Sequence, residues 1–157
     1  MDRRQKKLVA NIVVVIAFTA AMVAGFANVK NVINRSEAMR AMELLGKEVL
    51  SYRQTYGSLP SENYAKQFAE QIGAVRLGDF QYRAQWIEFG CDPNATILAY
   101  TEKKYSGVIK SGAAVLWLNG KTEWIDKQRF CEIMKSLQNK QELRWIQQHL
   151  QEDEKQH

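Results

Sequence analysis

The feature that most constrains this chain is the stretch LVANIVVVIAFTAAMVAGFANV, Leu8 to Val29, which carries no charged side chain. Its roughly 22 residues, rising about 1.5 Å each in a helix, match the roughly 30 Å hydrocarbon core of a bilayer. Arg3, Arg4, Lys6 and Lys7 precede it, whereas Lys30, Arg35 and Arg40 follow it dispersed among acids. That asymmetry predicts a cytoplasmic N-terminus with the bulk of the chain outside the cytoplasm. The competing expectation is a signal peptide cleaved after Ala27, given the basic start and the small Gly25 and Ala27. A retained anchor is the reading adopted here, because the helical pattern runs straight on.

Beyond the apolar run, Val29, Val32, Ile33, Ser36, Met39, Met42, Leu45, Val49, Tyr52 and Tyr56 recur at helical spacing. No proline interrupts until Pro60, and Gly57 with Pro60 supplies a stop. One helix of about 50 residues is expected, half in the membrane and half against a soluble domain. Gly46 is its weak point, at about 1 kcal/mol relative to alanine.

Ser61 is placed to cap a short second helix, SENYAKQFAEQIG, with Tyr64, Phe68 and Ile72 on one face. The period then changes. In FQYRAQWIEF, Phe80, Tyr82, Ala84 and Trp86 alternate with polar residues as in a half-buried strand. GCDPN reads as a turn, Thr96–Tyr100 as a second strand, and TEKKYSGVIKSG as a polar connection. Asn119-Gly120 in GAAVLWLNGKTEW predicts a two-residue type I′ hairpin. That register pairs Trp117 with Thr122 and Val115 with Trp124, setting both indoles on the side that packs on the long helix. Asp126 is the expected cap of a C-terminal helix from Lys127, with Phe130, Ile133, Met134 and Leu137 inward and a break near Asn139.

The predicted class is therefore α+β: a long N-terminal helix packed on a small antiparallel meander, followed by a C-terminal helix. The expected segments are a basic flank (1–7), a transmembrane helix (8–29), an extracytoplasmic domain (30–138), and a C-terminal helix with a polar tail (139–157).

Two segments, EVLSYRQTYGSLPSE (Glu48–Glu62) and ILAYTEKKYSGVIKSGAAVLWLNGKTEWIDKQRF (Ile97–Phe130), carry a family likeness. In order and spacing the chain resembles the type IV pilins and type II secretion pseudopilins, most closely the pseudopilin-like proteins of planctomycetes. The hairpin AVLWLNGKTEW is similar to their NVLFLDGHVEW. The resemblance implies a pilin-like fold, a bacterial inner-membrane location, and a structural or assembly role. It also implies pilin-like subunits or secretion-system components as partners. The head of the apolar run, RRQKKLVANIVVV, lacks the glycine and glutamate of a prepilin leader, so the expectation is a permanently anchored relative.

Chemistry is sparse in the sequence. The net charge of +5 is concentrated at the N-terminus, where residues 1–7 hold four bases and one acid, leaving 18 bases and 16 acids elsewhere. That distribution argues against nucleic acid and for membrane lipid. His149 and His157 both lie in the tail, and neither metal-ligand spacings nor a phosphate loop occurs. No enzyme, cofactor or small-molecule substrate is expected. Asp79, Glu88 and Asp92 flank strands and read as solvated turn acids. Cys91 and Cys131 would close one disulfide outside the cytoplasm, worth about 3–4 kcal/mol, or else stand as separate thiols. Trp145 falls off the Leu143/Ile146/Leu150 stripe and is the candidate contact surface. The alternative function is a tethered or secreted binding module using exposed aromatics.

Overall fold

The computed structural model describes residues 3–72, 77–78, 80–105, 109–138 and 141–144. Helix α1 runs unbroken from Arg3 to Tyr56, 54 residues, as the absence of proline predicts. It ends where Gly57, at φ +72°, donates its N–H to the Arg53 carbonyl at 2.8 Å. Helix α2 (Glu62–Gln71) is capped by Ser61, whose hydroxyl accepts from the Tyr64 amide. Four strands follow, β1 (Phe80–Tyr82), β2 (Ile97–Lys103), β3 (Gly112–Trp117) and β4 (Thr122–Asp126), forming an antiparallel meander in that order. Asp126 ends β4 and caps α3 (Lys127–Leu137), accepting from the Gln128 and Arg129 amides at 3.1 Å.

The domain has three layers. One face of the sheet, through Leu98, Ala99, Ala114, Leu116 and Leu118, packs on Ala38, Met42, Leu45 and Val49 of α1 and Ala65 and Ala69 of α2. The other face, through Ile97, Tyr100, Ala113, Val115, Trp117 and Ile125, packs on Phe130 and Met134 of α3. Every residue of β3 is buried, which is why it reads as an unbroken apolar run rather than an alternation. A bulge between Ile97 and Ala99 turns both Leu98 and Ala99 toward α1.

Several expectations are corrected. The hairpin pairs Leu116 with Thr122 and Ala114 with Trp124, one residue from the predicted register. Its loop is longer than the type I′ turn: Trp117 and Lys121 are joined by an N–H···O bond of 2.9 Å, and only Gly120, at φ +85°, takes the left-handed conformation. Asn119 has no positive φ, so this is a three-residue loop with glycine at its left-handed position. A one-residue slip exchanges faces. Leu116 and Leu118 therefore meet α1, Trp117 packs toward α3, and Trp124 alone of the two indoles lies on the α1 side.

The first strand is also shorter than predicted. It stops at Tyr82, and Ala84–Trp86 form a single 3₁₀ turn because Arg83 turns inward. Strand β2 reaches Lys103, taking in residues read as connection. On α2 the buried positions are Ala65 and Ala69, flanked by Phe68 and Ile72, while Tyr64 lies on the surface. On α1 the buried stripe is confined to the middle, since Val29 and Val32 are more than half exposed. The break expected near Asn139 falls between α3 and helical residues 141–144; Asn139 itself is outside the described residues.

Gly46 and Gly120 set how closely α1 sits on the hairpin. A Cβ on Gly46 would lie 2.8 Å from Leu116 Cδ1 and 3.3 Å from the Gly120 carbonyl oxygen, and one on Gly120 would run into Leu50. The helix weakness at Gly46 is thus a packing requirement. Gly120→Ala is expected to destabilise the full chain by about 1–3 kcal/mol through the left-handed backbone, plus the Leu50 clash. Gly57→Ala, with a similar φ of +72° but open space around it, should lose less. Denaturant unfolding in detergent compares the two; equal losses would mean that the Leu50 contact adds nothing.

Candidate functional site

Helix α1 is long and apolar enough to cross a membrane, and none of its most apolar 18-residue window is buried against the domain. Side chains such as Val14, Val15, Ile16, Phe18 and Val23 stand more than 60% exposed, with no protein layer over them. A core helix of that composition would be covered. The same helix is the spine of the domain from Ala38 to Val49, with no break between the two parts.

Where the two parts meet, two aromatic side chains and a cation are stacked. The Arg35 guanidinium lies 4.6 Å from the centre of the Trp124 ring, and Tyr105 stacks on Trp124 at 5.9 Å and 16°. Ser111 braces Tyr105 from the other side of the β2–β3 connection, its hydroxyl accepting from the Tyr105 amide at 2.9 Å. These contacts fix the direction of the sheet. The Arg35 guanidinium is level with the Trp124 ring and hence with Gly112 of β3, over which that ring lies, whereas Gly46, farther along α1, is level with Leu116 and Gly120. Strand β3 therefore runs in the same direction as α1, and the described flanks of the β2–β3 connection, residues 104–105 and 109–111, lie at the end of the domain nearer the apolar span.

A buried ion pair lies at the opposite side of the sheet from α1. Arg83 Nε donates to Glu142 Oε1 at 2.6 Å and Nη2 to Oε2 at 2.9 Å, a bidentate pair with both residues at least 97% buried. The same guanidinium donates to the Ile97 carbonyl at 2.9 Å and the Leu137 carbonyl at 3.1 Å. It thus joins the end of β1, the bulge of β2, the carboxyl end of α3 and residues 141–144. A cation at the α3 terminus also suits the helix dipole. Sequence reasoning placed Arg83 on a solvent-facing strand position. Glu142 is 59 positions away, so no local pattern could have paired them.

The sequence candidates do not converge. Cys91 is half-buried against the α1-side layer, and Cys131 is exposed on α3, which covers the other face; both are free thiols here. Trp145 and Asp79 lie outside the described residues. Glu88 and Asp92 are exposed, and the Asp92 carboxylate accepts from the Asn94 amide at 2.9 Å as a turn acid does. Among the described residues there is no group of three metal-ligating side chains. In a groove of about 340 Å³ beside Leu59, Pro60, Ser61, Glu62, Tyr82, Ala84 and Gln85, three of the lining polar side chains are engaged within the protein. Tyr82 donates to the Pro60 carbonyl, the Ser61 hydroxyl caps α2, and Glu62 pairs with Lys66. Near it, Tyr52 packs against Tyr56 and Tyr64 at 4.5 and 4.9 Å, and the Tyr64 hydroxyl donates to Glu48 at 2.6 Å. That hydrogen bond raises the Tyr64 phenol above its ordinary value.

Two variants test the ion pair. Arg83→Met takes the guanidinium from a buried carboxylate and should cost about 3–5 kcal/mol, whereas Arg83→Met with Glu142→Leu should recover part of that loss. Equal destabilisation by the single and double variants, in denaturant unfolding, would contradict a coupled pair.

Burial also pushes the phenols of Tyr82 and Tyr100 upward, Tyr100 to about 12 from an ordinary 10.0. Between those values the unfolded chain has released its phenolic protons and the folded chain has not. Stability is then fully present below pH 10 and falls as the pH rises toward 12. Tyr100→Phe is expected to flatten that fall in thermal unfolding measured from pH 9 to 12. Family models, curated proteins and solved structures give no match to this chain.

Proposed function

We propose that the chain is a single-pass membrane protein whose pilin-like extracytoplasmic domain has a non-catalytic structural or assembly role. The carrying observation is the continuity of α1, unburied through its apolar half and central to the core through the other. A domain built around the continuation of its own anchor is positioned by the membrane, which suits a part in an assembly. The motif resemblance adds type II secretion or type IV pilus-like machinery as the setting and other pilin-like subunits as partners. The four bases before the span support a topology with the N-terminus cytoplasmic. Trp117 is buried within the domain and so does not support the binding-module alternative, whereas Trp124 is half-buried beside Arg35 and Tyr105. Among the described residues, the exposed Phe89 and Tyr56 fit that alternative.

Membrane fractionation with alkaline carbonate washing, followed by intact-mass analysis, tests the reading. The expected result is a carbonate-resistant chain that keeps the Leu8–Val29 segment. A soluble product starting at Asn28 would overturn it and favour the secreted module.

A further inference from the structure

We infer that the end of the domain carrying the β2–β3 connection is a second membrane-binding surface, one that takes anionic lipid headgroups. The inference rests on the anchored reading above and adds a partner for a specific face. From Val29, the last residue of the apolar run, to Arg35 is six helical residues, or about 9 Å along the axis. The headgroup layer on each side of the hydrocarbon core is about 5–7 Å deep. The Arg35 guanidinium is level with the Trp124 ring, which lies over Gly112, so Lys104, Tyr105, Lys110 and Ser111, next to Gly112 or stacked on that ring, lie at about the same level. Because α1 has no break between Val29 and Arg35, this height is set by the helix itself.

The residues at that end suit an interface. Lys30 and Arg35 on α1, Lys104 and Lys110 on the connection, and Lys127 in the first turn of α3 are all exposed. Lys127 belongs there because its amide donates to the Ser111 carbonyl and Asp126 pairs with Gly112. The facing acids are Glu37, which is half-buried, Glu102, and Asp126, which caps α3. Glu123 is paired with Arg129 at 3.7 Å, and Lys103 donates to the Leu77 carbonyl. Bases therefore exceed acids on the face directed at the bilayer. Tyr105 and Trp124, stacked at the same level, are the aromatic types enriched at membrane interfaces. At the far end the exposed charges beside the turns, Glu88, Asp92 and Lys121, are mixed rather than predominantly basic. Lysines close to an anionic surface are attracted within a Debye length, about 8 Å at physiological salt.

The test uses the full chain reconstituted in vesicles of phosphatidylcholine alone or with phosphatidylglycerol, with Cys91 and Cys131 replaced by alanine. A fluorophore is attached at Gln128→Cys, near the span, or at Lys121→Cys, in the distal hairpin, and quenched by a nitroxide carried on the lipid headgroup. Flotation of the vesicles first establishes insertion. The expected result is quenching at position 128 several-fold above that at 121, greater with phosphatidylglycerol. Charge reversal at Lys104, Lys110 and Lys127 should reduce it to the distal level without affecting flotation. If the chain floats and both probes are equally unquenched, the surface is wrong and the anchor stands. Equal quenching at 128 in both lipids overturns the recognition of anionic headgroups. Failure of the chain to float overturns the surface together with the anchor.

Discussion

The close seating of α1 on the β3–β4 hairpin is the constraint on which the domain depends. Leu116 occupies the space that a side chain at position 46 would take, and Leu50 occupies that of a side chain at 120. The two glycines let backbone and leucines interlock, so the helix position along the sheet is set to within one turn. The α1 side of the core then follows, from the apolar cluster that Met42 and Leu45 share with Leu116 to the stacking of Arg35 on Trp124. The same seating requires the three-residue loop, because only that register directs Leu116 and Leu118, rather than the indole of Trp117, toward the helix.

The layers are closed on the other side by different physics. There the α3 face is largely aromatic and aliphatic, with Tyr100 against Phe130 at 5.0 Å, but its end is tied by the Arg83–Glu142 pair. A buried pair is a weak source of net stability, since desolvation offsets much of the attraction. Its contribution here is one of placement: four hydrogen bonds from a single guanidinium meet four chain segments at one point.

Much of the architecture is legible in the sequence, because its signals are local. The unbroken helix, its stop at Gly57, the Ser61 and Asp126 caps, and the inward Phe130 and Met134 all depend on residues within a turn or two of one another. The faces of the hairpin were not legible. Asn-Gly suits a two-residue turn, yet a one-residue difference in loop length reverses which side chains meet α1. Nor was the inward turn of Arg83, because its partner lies on a segment remote in the chain. The β2 bulge is hidden for the same reason: Leu98 and Ala99 share a face only because β3 is offset opposite them.

The uninterrupted α1 also makes the molecule a lever. From Val29 to Tyr56 the helix extends 27 residues, about 40 Å, beyond the apolar run. In a chain anchored as proposed, no loop lies between span and domain to absorb a change in angle. A 10° change in tilt, of the kind that follows a mismatch between span and bilayer thickness, would carry the Tyr56 end sideways by about 7 Å. Bilayer thickness would thereby become a mechanical input, read out as the lateral position of the distal hairpin and the α1–α2 corner.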